Sequence, residues 1–163
     1  MRVWTMALAF VVAGVAPGSA HVSFSMREVI IAPSVDLTLL VPHGCKGSPT
    51  LRLRMRIPQA VSSVAAHAKD GWRAQVVGAG SARELVWSGF LPDREIGRFT
   101  FSAQLAPGLK PNSLIYFPLV QECETGVERW IDIQGKPSSD ALDSELHDDA
   151  TSPAPSLRLL LRR

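Results

Sequence analysis

The chain has 163 residues, a formal charge of +2, and 12 residues each of proline and glycine. That length suits one domain with a real core and is short for two. Near-balanced charge with no long basic block argues against a protein that binds nucleic acid by neutralising phosphates.

Residues 1–20 read as a leader for export. Arg2 is a minimal positive start, residues 3–15 are apolar apart from Thr5 and Gly14, and Pro17 ends the run ahead of Gly18-Ser19-Ala20. Small residues there suit a cleavage site, and the apolar run is too short to span a bilayer comfortably. Cleavage after Ala20 is expected to leave a chain that begins His21-Val22-Ser23. That chain is expected to be periplasmic, with no membrane span after processing.

From residue 21 the chain is predicted to be all-β, an immunoglobulin- or fibronectin-like β-sandwich. Strands are expected near residues 22–28, 36–41, 50–57, 73–77, 84–88, 99–105, 113–122 and 127–133. The clearest is 50–57, where Leu51, Leu53, Met55 and Ile57 alternate with Arg52, Arg54 and Arg56; that period places one face in a core and the other in water. Phe99, Phe101, Ala103 and Leu105 repeat the pattern. Residues 60–69 are ambiguous. Turn signals such as Pro42-His43-Gly44, Asp70-Gly71, Pro107-Gly108 and Glu124-Thr125-Gly126 separate the strands. Short strands divided this way favour a sandwich over parallel βαβ units.

Beyond Ile133 the composition shifts to a polar, acidic stretch followed by Ser152-Pro153-Ala154-Pro155. The organisation expected is a leader over 1–20, a sandwich over 21–133, and a flexible acidic and proline-containing tail over 134–163. Residues 134–155 of that tail are read as a loosely held linker, and 157–161, apolar again, as a candidate last strand.

Cys45 and Cys123 are the only cysteines. In an oxidising compartment they are expected to form a disulfide, on the order of 4 kcal/mol in the chain-entropy account. A thiolate metal site is the competing reading, but there is no Cys-x-x-Cys pair to support it.

His21 is the sharpest chemical feature. A processed N-terminal histidine presents its α-amine and imidazole Nδ1 to one ion as a chelate. Their reference pKa values, about 7.7–8.0 and 6.5, lie close enough to neutral pH that both can be neutral donors there. Two nitrogen donors favour Cu(II), which leads the divalent affinity order. Trp130 is the second feature: it shares parity with Glu128 and Asp132, not with Val127, Ile131 and Ile133. A tryptophan on a polar face lies under a loop, in an exposed patch, or against a site. His43 sits in a loop that the disulfide would tie near Glu122. His67 reads as a surface residue, His147 as a weak donor in the acidic tail, and the Arg52-Arg54-Arg56 stripe as a solvated face. Gly-x-Ser-x-Gly, His-Glu-x-x-His, P-loop and dinucleotide-binding patterns are absent.

Several segments together resemble the YcnI-like family of exported proteins. They are His21-Val22-Ser23, Val41-Pro42-His43-Gly44-Cys45-Lys46-Gly47-Ser48, Arg56-Ile57-Pro58, Gly71-Trp72-Arg73 and Val86-Trp87-Ser88-Gly89, with Phe99-Thr100-Phe101, Val120-Gln121-Glu122-Cys123-Glu124, Arg129-Trp130-Ile131 and Pro153-Ala154-Pro155-Ser156-Leu157. The resemblance covers nearly all of residues 21–160. It implies a β-sandwich with a Cu(II) site on the N-terminal histidine, matched by His21, beside a tryptophan, matched by Trp130, and completed by a carboxylate. That carboxylate follows a Val-Pro pair in the family, whereas here the loop reads His43-Gly44-Cys45-Lys46. His43 is the substitute donor and Glu122 the reserve.

The expectation is therefore a copper(II)-binding protein of copper homeostasis or delivery, not an enzyme. Its partners would be the copper ion and another extracytoplasmic copper-carrying protein. An N-terminal histidine on a sandwich also resembles lytic polysaccharide monooxygenases, so a copper-dependent oxidative enzyme is one alternative. A metal-free interaction sandwich is the other.

Overall fold

The structure is a computed structural model that describes residues 21–133 and 151–161. The expected leader and the acidic stretch with His147 lie outside the described residues. Thirteen strands follow in order: β1 Ser23–Phe24, β2 Glu28–Ile30, β3 Ser34–Val41, β4 Thr50–Arg56, β5 Val61–Ala66, β6 Arg73–Val77, β7 Glu84–Leu91, β8 Gly97–Leu105, β9 Leu114–Tyr116, β10 Leu119–Cys123, β11 Val127–Asp132, β12 Thr151–Pro153 and β13 Ser156–Leu160. The one helical turn described is a 3-10 turn at Gly80–Ala82. No helix among the described residues is long and apolar enough to cross a membrane.

Two sheets face each other. One has the order β1-β3-β8-β5 and the other β12-β11-β10-β4-β7-β6, while β2-β13-β9 form a smaller third sheet. Inward residues alternate as the period-2 pattern requires: Leu37, Leu39 and Val41 with Phe99, Phe101 and Ala103 on one side, Leu53, Met55, Leu85, Trp87 and Leu119 on the other. Trp87 bridges the two sheets, its ring 5.7 Å from Phe99 and 6.0 Å from Phe101. Such aromatic contacts add to the burial that drives two sheets together. The chain therefore folds as the β-sandwich expected.

Four local departures have physical causes. The expected strand over 113–122 divides at Phe117-Pro118 into β9 and β10. Proline has no N–H for a ladder, and at this point the chain leaves β13 for β4 and β11. The segment 22–28 likewise divides, because β1 pairs β3 while β2 pairs β13. In β4, Thr50 is fully buried and Leu51 exposed, the reverse of the simple alternation. Register shifts beside Thr50 on both flanking strands account for it, since a bulge moves a side chain to the other face. Finally, residues 151–153, assigned to the linker from their prolines, form β12 parallel to β11. Pro153 fits because β12 is the edge of its sheet. The candidate strand at 157–161 is β13, and the ambiguous 60–69 contains β5.

Candidate metal centre

Val22 and Phe24 are buried, and they anchor the start of the described chain in the core beside β3. His21 and Ser23 fall on the opposite parity, and His21 is exposed. Phe24 packs edge-on to Phe117 with ring centroids 5.0 Å apart. The placement of His21 is thus set by two apolar neighbours in the next three positions, not by the histidine itself.

The His21 ring lies 5.7 Å from the Trp130 ring at an interplanar angle of 70°, an edge-to-face contact. Trp130 is 5 % exposed and belongs to the core, while Val127, expected inside, is 42 % exposed. The expected parity of β11 is therefore reversed. Its register with β10 explains why: Trp130 stands opposite Leu119 and Glu128 opposite Gln121, and both β10 residues point inward. Directly opposed residues in an antiparallel pair share a face. The tryptophan is a core residue whose rim meets His21.

Gln121 is the residue that sequence reasoning passed over. It is 0 % exposed and on the inner parity of β10. Trp130 Nε1 donates to its Oε1 at 3.2 Å. Its Nε2 donates to the carbonyl oxygen of His43 and to Thr50 Oγ1, both at 2.8 Å. One buried amide thus joins the tryptophan beside His21 to the loop that carries His43. Buried polar groups are costly unless paired, and none of the described side chains leaves a buried N or O atom unpaired. The signal was present as a glutamine on the same parity as Leu119 in an otherwise ordinary strand.

The His43 loop is tightly built. Lys46 and Gly47 both have positive φ, 49° and 91°, as a two-residue turn of the primed type requires. Cys45 and Ser48 exchange two backbone hydrogen bonds of 3.0 Å across it. Gly44 lies so close to Ser48 that a Cβ there would collide with the backbone oxygen. His43 is half-buried, and its Nδ1 bonds the Gly44 carbonyl. Cys45 and Cys123 form the expected disulfide, with Cα atoms 5.9 Å apart, which excludes the thiolate metal site. The bridge ties the loop to the end of β10, two residues from Gln121.

Glu122 does not fit the reserve role. As the next residue along β10 it points outward, where its carboxylate meets Arg52 at 3.3 Å and Arg54 at 3.4 Å. Arg54 also pairs with Glu84 at 2.9 Å. The Glu84 hydrogen bond and charge, with help from Glu122, hold the Arg54 guanidinium protonated even more firmly than usual. Arg52 and Arg54 of the arginine stripe are thus paired on an outer face. His67 sits on the outer face of the other sheet with Ser102 and Asp36.

Among the described residues, no three His, Cys, Asp or Glu side chains gather as a metal-binding group. A metal at this end of the sandwich would rest on His21; were the chain to start at that residue, its α-amine and ring nitrogen would be offered by one residue. The donor set suits a chelated ion, since no second chain segment is needed to complete the bite. Beside His21 opens a cleft of about 610 Å³, lined in part by Arg27, Glu28, Pro153 and Arg158.

The fold and this arrangement define an immunoglobulin-like β-sandwich with an exposed histidine at its rim. The chain belongs to the family described as a domain of unknown function, DUF1775, which matches residues 21–159. A solved protein from Nocardia farcinica, described as having an immunoglobulin-like fold, is 20 % identical. The match covers 87 % of this chain and 99 % of that one, with a TM-score of 0.65. A cohesin–dockerin complex from Clostridium thermocellum matches at 11 % identity over 85 % of this chain and 99 % of that one. Its TM-score of 0.42 is too low to bear on the fold. No curated protein matches the chain.

Proposed function

We propose that this protein binds copper(II) outside the cytoplasm, as a periplasmic carrier in copper homeostasis and not as an enzyme. The metal is cargo held by the α-amine and the Nδ1 of His21 once the leader is removed. The observation that carries the reading is the edge-to-face contact of His21 with the buried ring of Trp130. The resemblance to the YcnI-like family, with its N-terminal histidine and tryptophan, supports it. His43, tied to the same cluster through Gln121, is the proposed further donor.

The chemistry follows from the donors. Amine and imidazole bind only when neutral, so copper displaces protons from them and affinity falls as the medium becomes acidic. Trp130 covers one side of the ion and limits access of water. Gln121 holds the indole through its N–H, so the shield is rigid. The paired cysteines keep the His43 loop in place and leave no thiolate to compete for the ion. A bulky indole over the metal opposes oxygen activation, which favours carriage over oxidative chemistry.

The test uses protein that begins at His21, titrated with Cu(II) in a non-coordinating buffer. Tryptophan emission should fall and level off near one equivalent. His21→Ala, or a single residue added ahead of His21, should abolish the response, and Trp130→Phe should bind copper with much less quenching. Equal binding by the extended chain would defeat the assignment. Mass spectrometry of the exported protein should find residue 21 as an unblocked terminus. Sustained peroxide formation with ascorbate would support the oxidative enzyme instead.

A further inference from the structure

The cleft beside His21 carries charge that the copper reading does not use. Arg27 comes from the segment between β1 and β2, Glu28 is the first residue of β2, and Arg158 comes from β13. The walls are locked together: the Arg158 N–H donates to the Arg27 carbonyl at 2.9 Å, and Arg158 stands opposite Glu28 in the parallel pair. Both guanidinium groups are exposed, and the ion pairs formed among the described residues include neither. Arg158 Nη1 reaches one carbonyl, of Asn112, at 3.4 Å, leaving most of its five donors available. The cleft volume of about 610 Å³ falls within the range of small-molecule sites.

An ion held by two nitrogens of one residue keeps coordination positions open. Among the described residues, no three His, Cys, Asp or Glu side chains gather to fill them. Carboxylate oxygen is a suitable donor to a divalent ion, and arginine pairs are suited to carboxylates in a two-toothed geometry.

We propose that the cleft seats a small chelating polycarboxylate that accompanies Cu(II), with one carboxylate on the metal at His21 and a second on Arg27 and Arg158. The protein then takes up a copper complex, not the bare aqueous ion. Glu28 is the one carboxylate among the cleft's charged side chains, and it limits the positive field so that an anionic copper complex can also leave. This inference rests on the copper reading above.

Citrate is the probe. Protein starting at His21 is loaded with one equivalent of Cu(II), then titrated with citrate and, separately, with acetate. The copper EPR spectrum and the copper retained on ultrafiltration are followed. Citrate should change the spectrum while copper stays with the protein, and acetate at the same concentration should not. The double variant Arg27→Ala, Arg158→Ala should bind Cu(II) alone like the wild type, but need at least about tenfold more citrate for half-saturation, equivalent to about 1.4 kcal/mol. Glu28→Gln should tighten citrate binding. An unchanged spectrum, or copper stripped equally from wild type and double variant, overturns the inference and leaves the copper reading intact. Loss of copper binding in Glu28→Gln would make Glu28 the metal's carboxylate and also overturn it. Failure of the wild type to bind copper without citrate overturns both.

Discussion

Gln121 and Glu122 are adjacent in β10 and make similar numbers of hydrogen bonds, yet they belong to different physical worlds. Gln121 is sealed between the sheets and binds Trp130, His43 and Thr50. Glu122 lies on the wet face of the same sheet among Arg52 and Arg54. A buried amide with three partners leaves three unpaired groups behind when it goes. An exposed carboxylate leaves its partners to water. The contrast shows that the polar groups organising the candidate site are the hidden ones.

The largest effect on stability should come from cutting the tether that holds this inner cluster. Replacing both cysteines, Cys45→Ala with Cys123→Ala, should cost about 4 kcal/mol and lower the urea midpoint. If the change is close to zero, the loop is held by its turn and Gln121 alone. Next, Gln121→Leu keeps the volume near that of glutamine but orphans the Trp130 N–H, the His43 carbonyl and the Thr50 hydroxyl. A loss of about 2–4 kcal/mol is expected, measured by the same denaturation. A neutral result would mean that water replaces the amide without penalty.

Trp130→Phe removes one hydrogen bond and part of one ring, so about 1–3 kcal/mol is expected. Its effect should be smaller in the Gln121→Leu background, because the two residues share a partner. Strict additivity would show that the bond between them carries no stability. Smallest of all, Glu122→Gln should cost less than about 1 kcal/mol, and high salt should reduce even that. A cost as large as that of Gln121→Leu would erase the distinction between the two faces.

Much of the fold was legible because strands announce themselves by period. In β4 and β8 the alternation of apolar and polar residues predicts both strand and face, since a half-buried sheet demands it. The disulfide was legible from the count of two cysteines behind a stretch that reads as a leader for export. The signal was weaker where pairing partners decide. The parity of β11 places Trp130 on the wet face, whereas the residue is buried, because β11 carries Val127 and Ile131 on the side turned from the core. Thr50 exchanged places with Leu51 at register shifts that depend on the strands to either side. The strand at 151–153 was hidden by its prolines, which an edge position tolerates.

The sandwich class and the Cys45–Cys123 pairing were determined by the sequence alone, since each depends on residue type, order or count. The contact of His21 with Trp130, the central place of Gln121, the outward turn of Glu122 and the cleft between Arg27 and Arg158 were decided only by the tertiary structure. These features join residues up to 137 positions apart, from Val22 beside His21 to Leu159 beside Arg158, in one core. Strand register sets which side chains meet across such distances, and register is a property of paired strands, not of any one of them.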